Sequence, residues 1–135
     1  MPTFDTFPDV EAIAARRLRD AGITNLGTRV YSSIPGDPTY PLIVLRRLGG
    51  EPAVRTSLDA GRLEIQVWGE SKSQAHDIAA TARVKLLELE GEIISVPVGA
   101  FVTAVNDDQG LTWDPDNLTG YDRYVFAMRI FAKSH

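Results

Sequence analysis

The chain has no cysteine and only two histidines, His76 and His135. The first absence excludes disulfides and thiolate zinc sites, and the second leaves too few imidazoles for a histidine-rich metal centre. Long hydrophobic runs are also missing. None approaches the ~18 apolar residues that a membrane-spanning helix needs, so no membrane contact is expected. Basic charge is not in surplus. A net charge of −4 over 135 residues disfavours a sequence-independent grip on nucleic acid, which requires clustered Lys and Arg. The start, MPTFDTFPDVEAI, has an early aspartate and no basic stretch ahead of an apolar one, so no secretory leader is expected. The sequon Asn117-Leu118-Thr119 then reads as chance. There is no internal repeat, low-complexity tract or long linker.

What is present suits one domain spanning residues 1–135. Hydrophobic residues make up 44% and charged residues 24%, ordinary values for a globular chain. Charge is uneven along the sequence. Residues 1–62 carry 8 basic and 7 acidic side chains, whereas residues 63–135 carry 6 basic and 11 acidic ones. Asymmetry of this kind bears on partners, not on fold.

Periodicity places the elements. In FPDVEAIAARRLRDAG, Val10, Ile13, Ala14 and Leu18 make one helical stripe. Pro8 fits the first helical position, Asp9 and Glu11 complement the N-terminal dipole, and Gly22 suits the stop. Arg29 to Ile34 reads as a strand, and PGDPTYP as turn and extended chain. Leu42 to Leu48 is a nearly continuous apolar run, expected of a covered strand. Residues 49–61 read as a long loop. From Arg62 to Trp68 the chain alternates, with Leu63, Ile65 and Val67 on one side and Arg62, Glu64, Gln66 and Trp68 on the other. Ser71 followed by Gln74 makes a capping box for a helix running to about Glu90, with Gly91 as its stop. Its buried stripe is Ala75, Ile78, Ala79, Ala82, Leu86 and Leu89. Ala100 to Val105 reads as a strand, NDDQG as a tight turn with Gly110 in a left-handed position, and Tyr121 to Ala132 as a long central strand. The order α-β-β-β-α-β-β implies an α+β fold: a mainly antiparallel sheet with two helices on one face.

Candidate chemistry is sparse. In LEIQVWGESKSQAHDI, His76 has Asp77 beside it and serines at 71 and 73 upstream. Ser71 is occupied as a helix cap. Adjacent helical residues point about 100° apart, so Asp77 is not expected to orient His76 as a triad does. His76 also lies off the apolar stripe, and the segment reads as a strand-to-helix joint. Residues 106–122 hold Asp107, Asp108, Asp114, Asp116 and Asp122 without Lys or Arg. A hard cation wants such oxygens, but the spacing lacks a regular calcium loop. Hydrated turns, or an acidic rim facing a basic partner, fit better. Gly49-Gly50 lacks the Gly-Lys-Ser/Thr of a phosphate loop. Arg46, Arg47, Arg55 and Arg62 read as solvated strand ends. Trp68 and Trp113 fit either core or interface. No catalytic residue, metal or cofactor is expected.

Four stretches, FPDVEAIAARRLRD, PLIVLRRLGG, RLEIQVWGESKSQAHDIA and TGYDRYVFAMRIFAK, together resemble the tail terminator (tail completion) proteins of long-tailed bacteriophages. The resemblance covers nearly the whole chain and includes the element order. It implies a non-enzymatic virion protein, assembled in the host cytoplasm. Such proteins form a ring, usually of six subunits, on the last ring of tail tube protein. The ring ends tube growth and presents a surface to the head-tail connector. DNA passes through its lumen without specific binding. On that reading, Arg55, Arg62, Glu64, Gln66 and Trp68 are candidate subunit or tube contacts, and Asp107, Asp108, Asp114 and Asp116 are candidate partner-facing acidic loops. The alternatives are another neck or connector component of the same particle, or a small ligand- or metal-binding module.

Overall fold

Two apolar stripes at helical spacing close over one face of a sheet in the computed structural model, which describes residues 8–49, 52–54, 58–95 and 99–135. Helix α1 spans Val10–Asp20 and α2 spans Lys72–Leu87. The strands are β1 Val30–Tyr31, β2 Leu42–Arg47, β3 Pro52–Val54, β4 Leu58–Gly69, β5 Ile93–Ile94, β6 Ala100–Trp113 and β7 Asp122–Ser134. They form one sheet in the order β1-β2-β4-β7-β6-β5, with β3 beside the start of β4. Among the described residues, only β1–β2 is a parallel pair. The fold is α+β with the expected element order, extended by the short strands β3 and β5.

Both helices start on side-chain caps. Asp9 accepts the Ala12 amide at 3.0 Å and is itself the cap, so Pro8 stands before the helix and not in its first turn. An aspartate oxygen satisfies a free helical N–H, which proline cannot do. Ser71 Oγ accepts the Gln74 amide at 3.1 Å. Gln74 Oε1 reaches back to the Glu70 amide at 2.8 Å, one residue earlier than in the usual box. Helix α2 ends at Leu87, and turns at Leu89 and Glu90 carry the chain to Gly91.

The core lies between the helices and the sheet. It joins Val10, Ile13, Ala14 and Leu18 of α1 and Ala75, Ile78, Ala79, Ala82 and Leu86 of α2 to Leu63, Ile65 and Val67 of β4 and Phe126, Met128 and Ile130 of β7. Two glycines set how closely the layers approach. A Cβ on Gly61 would lie 2.4 Å from Val10 Cγ2, and one on Gly69 would lie 2.6 Å from the Ala75 backbone nitrogen. Each helix therefore rests on a glycine of β4.

Three further expectations need correction. The strand expected over residues 29–34 keeps only Val30–Tyr31, because Ser32 and Ser33 leave the ladder ahead of Pro35. The loop expected over residues 49–61 contains strand at residues 52–54 and 58–61, which form part of the sheet. Leu48 N–H donates to Arg62 O at 2.8 Å, β3 follows, and β4 is already extended at Leu58. Finally, β6 does not turn at NDDQG. It runs through to Trp113, and its extra residues are absorbed by register shifts between Val102 and Ala104, Asp107 and Gln109, and Gln109 and Thr112. Bulges of this kind let polar, Gly-containing sequence stay in a strand. The reversal falls at residues 114–121 instead.

Candidate functional site: the helix-free face of the sheet

Alternation along β4 builds two unlike faces. Leu63, Ile65 and Val67 are fully buried beneath the helices. Arg62, Glu64, Gln66 and Trp68 point to the other side, which no helix covers among the described residues. The neighbouring strands add Leu42, Val44 and Arg46 from β2 and Arg123, Val125, Ala127, Arg129 and Phe131 from β7, as their register requires.

One end of this face is aromatic. Trp68 is only 1% exposed. Leu42 and Val44 flank it, and Tyr31, Tyr40 and Tyr121 pack around them. Tyr40 and Tyr121 are stacked with centroids 3.7 Å apart. Burial, with the nearby Tyr121 and Asp116, pushes the Tyr40 hydroxyl above its ordinary value. The Trp68 indole N–H donates to Asp116 Oδ2 at 2.9 Å, and the Arg123 guanidinium lies 5.5 Å from the ring centroid. Asp116 Oδ1 also accepts the Leu118 amide at 3.0 Å. The Trp68 hydrogen bond, then the Leu118 amide, hold this carboxyl below the usual range. Asp116 thus ties the 114–121 turn to the buried tryptophan of the sheet.

The middle is charged. Gln66 donates to Glu64 at 2.8 Å, and Arg46 lies 3.5 Å from Glu64. Arg62 and Arg129 are directly opposed on β4 and β7, a like-charge pairing that costs stability by itself. Asp108 relieves it. It accepts from Arg62 Nε and sits 3.8 Å from Arg129. The Arg62 hydrogen bond lowers the Asp108 pKa. Arg129 Nε is buried and has no hydrogen-bond partner among the described residues.

The other acidic residues are also engaged. Asp107 faces the helices, where Arg83 of α2 grips it through Nε at 2.8 Å and Nη2 at 2.6 Å. That hydrogen bonding lowers the Asp107 pKa and raises that of Arg83. Asp114 accepts from Arg123 at 2.7 Å. Asp107 and Asp108 therefore lie on a strand and not in a loop, while Asp114 and Asp116 belong to the turn. The continuous β6 ladder causes the difference. Among the described residues, no three His, Cys, Asp or Glu side chains converge as metal ligands would.

The structure brings Arg62, Glu64 and Gln66 together on one part-exposed surface and sinks Trp68 beneath its neighbours. Arg55 lies outside the described residues. Trp113 is 46% exposed, with Lys72 Nζ 4.0 Å above its ring. His76 does contact Asp77, at 3.3 Å, and its ring meets Tyr124 edge-on with centroids 5.4 Å apart. The His76 and Asp77 side chains are 52% and 76% exposed, so the pair lacks the burial that orients a catalytic dyad. Sequence reasoning missed Tyr40, Tyr121, Arg123 and Arg129 as members of this face. The alternation of β7 carried the signal for Arg123 and Arg129; nothing local carried it for Tyr40.

The sequence model of the tail completion protein gp17 family matches residues 11–130. The chain belongs to that family. It is a structural protein of a phage tail, and the resemblance drawn from its motifs holds. No curated protein is significantly similar in sequence. Among solved structures, a chain from the virion of a native gene transfer agent particle matches with a TM-score of 0.56 at 14% identity. The match covers 91% of this chain and 86% of that one. At that identity the likeness concerns the fold alone. Among the described residues, no helix is long and apolar enough to cross a membrane.

Proposed function

We propose that this tail completion protein is a non-catalytic, one-domain subunit of a homo-oligomeric ring, six-membered, that caps the tail tube. The ring ends tube polymerisation and offers the head-tail connector its docking surface, and DNA crosses its lumen without specific contacts. Assembly takes place in the host cytoplasm. Family membership across residues 11–130 carries the reading. The helix-free face supports it, with Arg62, Glu64 and Gln66 as contacts to the next subunit or the tube, and Trp68 as the buried support beneath them. Arg55, outside the described residues, is kept as a candidate subunit or tube contact from the sequence alone. Asp114 and Asp116 of the β6–β7 turn, with Asp107 and Asp108 of mid-β6, are the acidic residues proposed to meet the connector or the tube. The arginines bound to Asp107, Asp108 and Asp114 limit how much net negative charge these residues present.

The test is to polymerise purified tail tube protein with and without this protein. Capped tubes of bounded length support the reading. A ring that binds the connector and leaves tube growth unchanged would instead make it another neck component.

A further inference from the structure

Among the described residues, Arg129 alone has a buried side-chain nitrogen or oxygen without a hydrogen-bond partner, its Nε. Native structures rarely leave such a group unmet. Its ion-pair partner Asp108 stands 3.8 Å from Nη2, beyond hydrogen-bond reach, and already accepts from Arg62 Nε. Arg62 and Arg129 are directly opposed on β4 and β7, so two guanidinium groups share one carboxylate. The Arg129 side chain is 43% exposed. With Nε enclosed, that exposure falls on the rest of the side chain, where an acceptor from outside can reach it.

Charge around Arg129 identifies the acceptor. Away from the 114–121 turn, the described residues of the open face set Arg46, Arg62, Arg129 and Lys133 against Glu64 and Asp108. Four cations against two anions leave this surface positive, on a chain whose net charge is −4. A guanidinium presents paired N–H donors that match the two oxygens of a carboxylate. DNA is the poorer occupant, because Glu64 and Asp108 flank the site and the acidic chain repels a row of phosphates. A second copy of this chain is poorer too, since its exposed carboxylates are largely taken within the subunit. Arg16 holds Asp20, Arg17 holds Glu92, Arg83 holds Asp107 and Arg123 holds Asp114.

We propose that Arg129, with Arg62 beside it, receives an aspartate or glutamate side chain of the tail tube protein. The proposal rests on the tube-capping reading and supplies the chemistry of that contact. The opposed arginines cost the free subunit stability. A second carboxylate relieves that cost only on the tube, so the contact favours the assembled state.

Carbodiimide joins lysine, but not arginine, to a carboxylate with no spacer between them. Arg129→Lys, treated on capped tubes, should give an amide between residue 129 and an acidic residue of the tube protein, read by mass spectrometry. Arg129→Met should bind tubes roughly tenfold more weakly or worse and lose part of the salt dependence of binding. It should melt no lower than the wild type, because the like-charge opposition is gone. Normal capping by Arg129→Met, or an amide from residue 129 only to another copy of this chain, would overturn the contact and leave capping standing. So would wild-type binding to a double-stranded oligonucleotide that Arg129→Met abolishes, which would make the ligand a phosphate. Wild-type protein that leaves tubes uncapped would overturn both.

Discussion

The two faces of β4 both carry arginine–aspartate pairs, and the pairs differ in kind. On the helix side, Arg47 clasps Asp59, with Nη2 2.8 Å from Oδ1, and the Asp59 side chain is 2% exposed. The Arg47 backbone N–H is held by Glu11 of α1 at 3.1 Å. This clasp ties β2, β4 and the start of α1 together. On the open side, Arg62 and Asp108 are 32% and 28% exposed, and Arg46 is 57% exposed against Glu64. Part-exposed pairs contribute little to folding. The helix side is therefore built to hold the chain together. The open side holds charge in a fixed pattern at little cost to stability, which suits the assembly role proposed for it.

Substitutions can break this contrast. Arg47→Ala should have the largest effect, because it strands a buried carboxylate. Losing one partner of a buried pair costs about 3–5 kcal/mol. Arg47 is about a third exposed, so water reaches the site and the expected loss is near the lower end, read from urea unfolding. Trp68→Phe comes next. It keeps an aromatic ring in the cluster but removes the hydrogen bond to the Asp116 carboxylate, which is worth about 1.5 kcal/mol. It should also speed amide exchange in the 114–121 turn and leave the helices unchanged.

Acid sharpens the comparison. Asp107, Asp108 and Asp116 have folded-state pKa values below their ordinary 3.8. Their contribution to stability is thus present above that value and is lost as pH falls through the lower folded values. Melting temperature should stay flat down to about pH 5 and drop below about pH 4. Asp116→Asn should flatten part of that drop. Smallest in stability are Arg62→Ala and Glu64→Ala. Each should leave the melting temperature almost unchanged and yet weaken ring assembly, measured by light scattering across a concentration series.

How much of this was legible followed from where the determining contacts lie. The stripes of α1 and α2 and the Leu63-Ile65-Val67 face depend on spacing within one segment, and sequence reading found them. Trp68 needed Leu42, Tyr40 and Tyr121 to become core, and these come from two distant segments. The start of β4 was hidden because its early residues, Asp59 and Gly61, are poor strand formers. Asp59 is tolerated there because Arg47 meets it, and Gly61 is needed because Val10 sits on it. NDDQG looked like a turn for the same reason. Its aspartates are instead held in the strand by Arg83, Arg62 and Arg129.

The most direct test of the central claim is an electron-microscopy count of tube ends after tail tube protein is polymerised with increasing amounts of this protein. The account predicts a six-fold ring on one end of each tube and a mean tube length that falls as the ratio rises. Bare ends with an unchanged length distribution, at a concentration where the protein is folded, would contradict it.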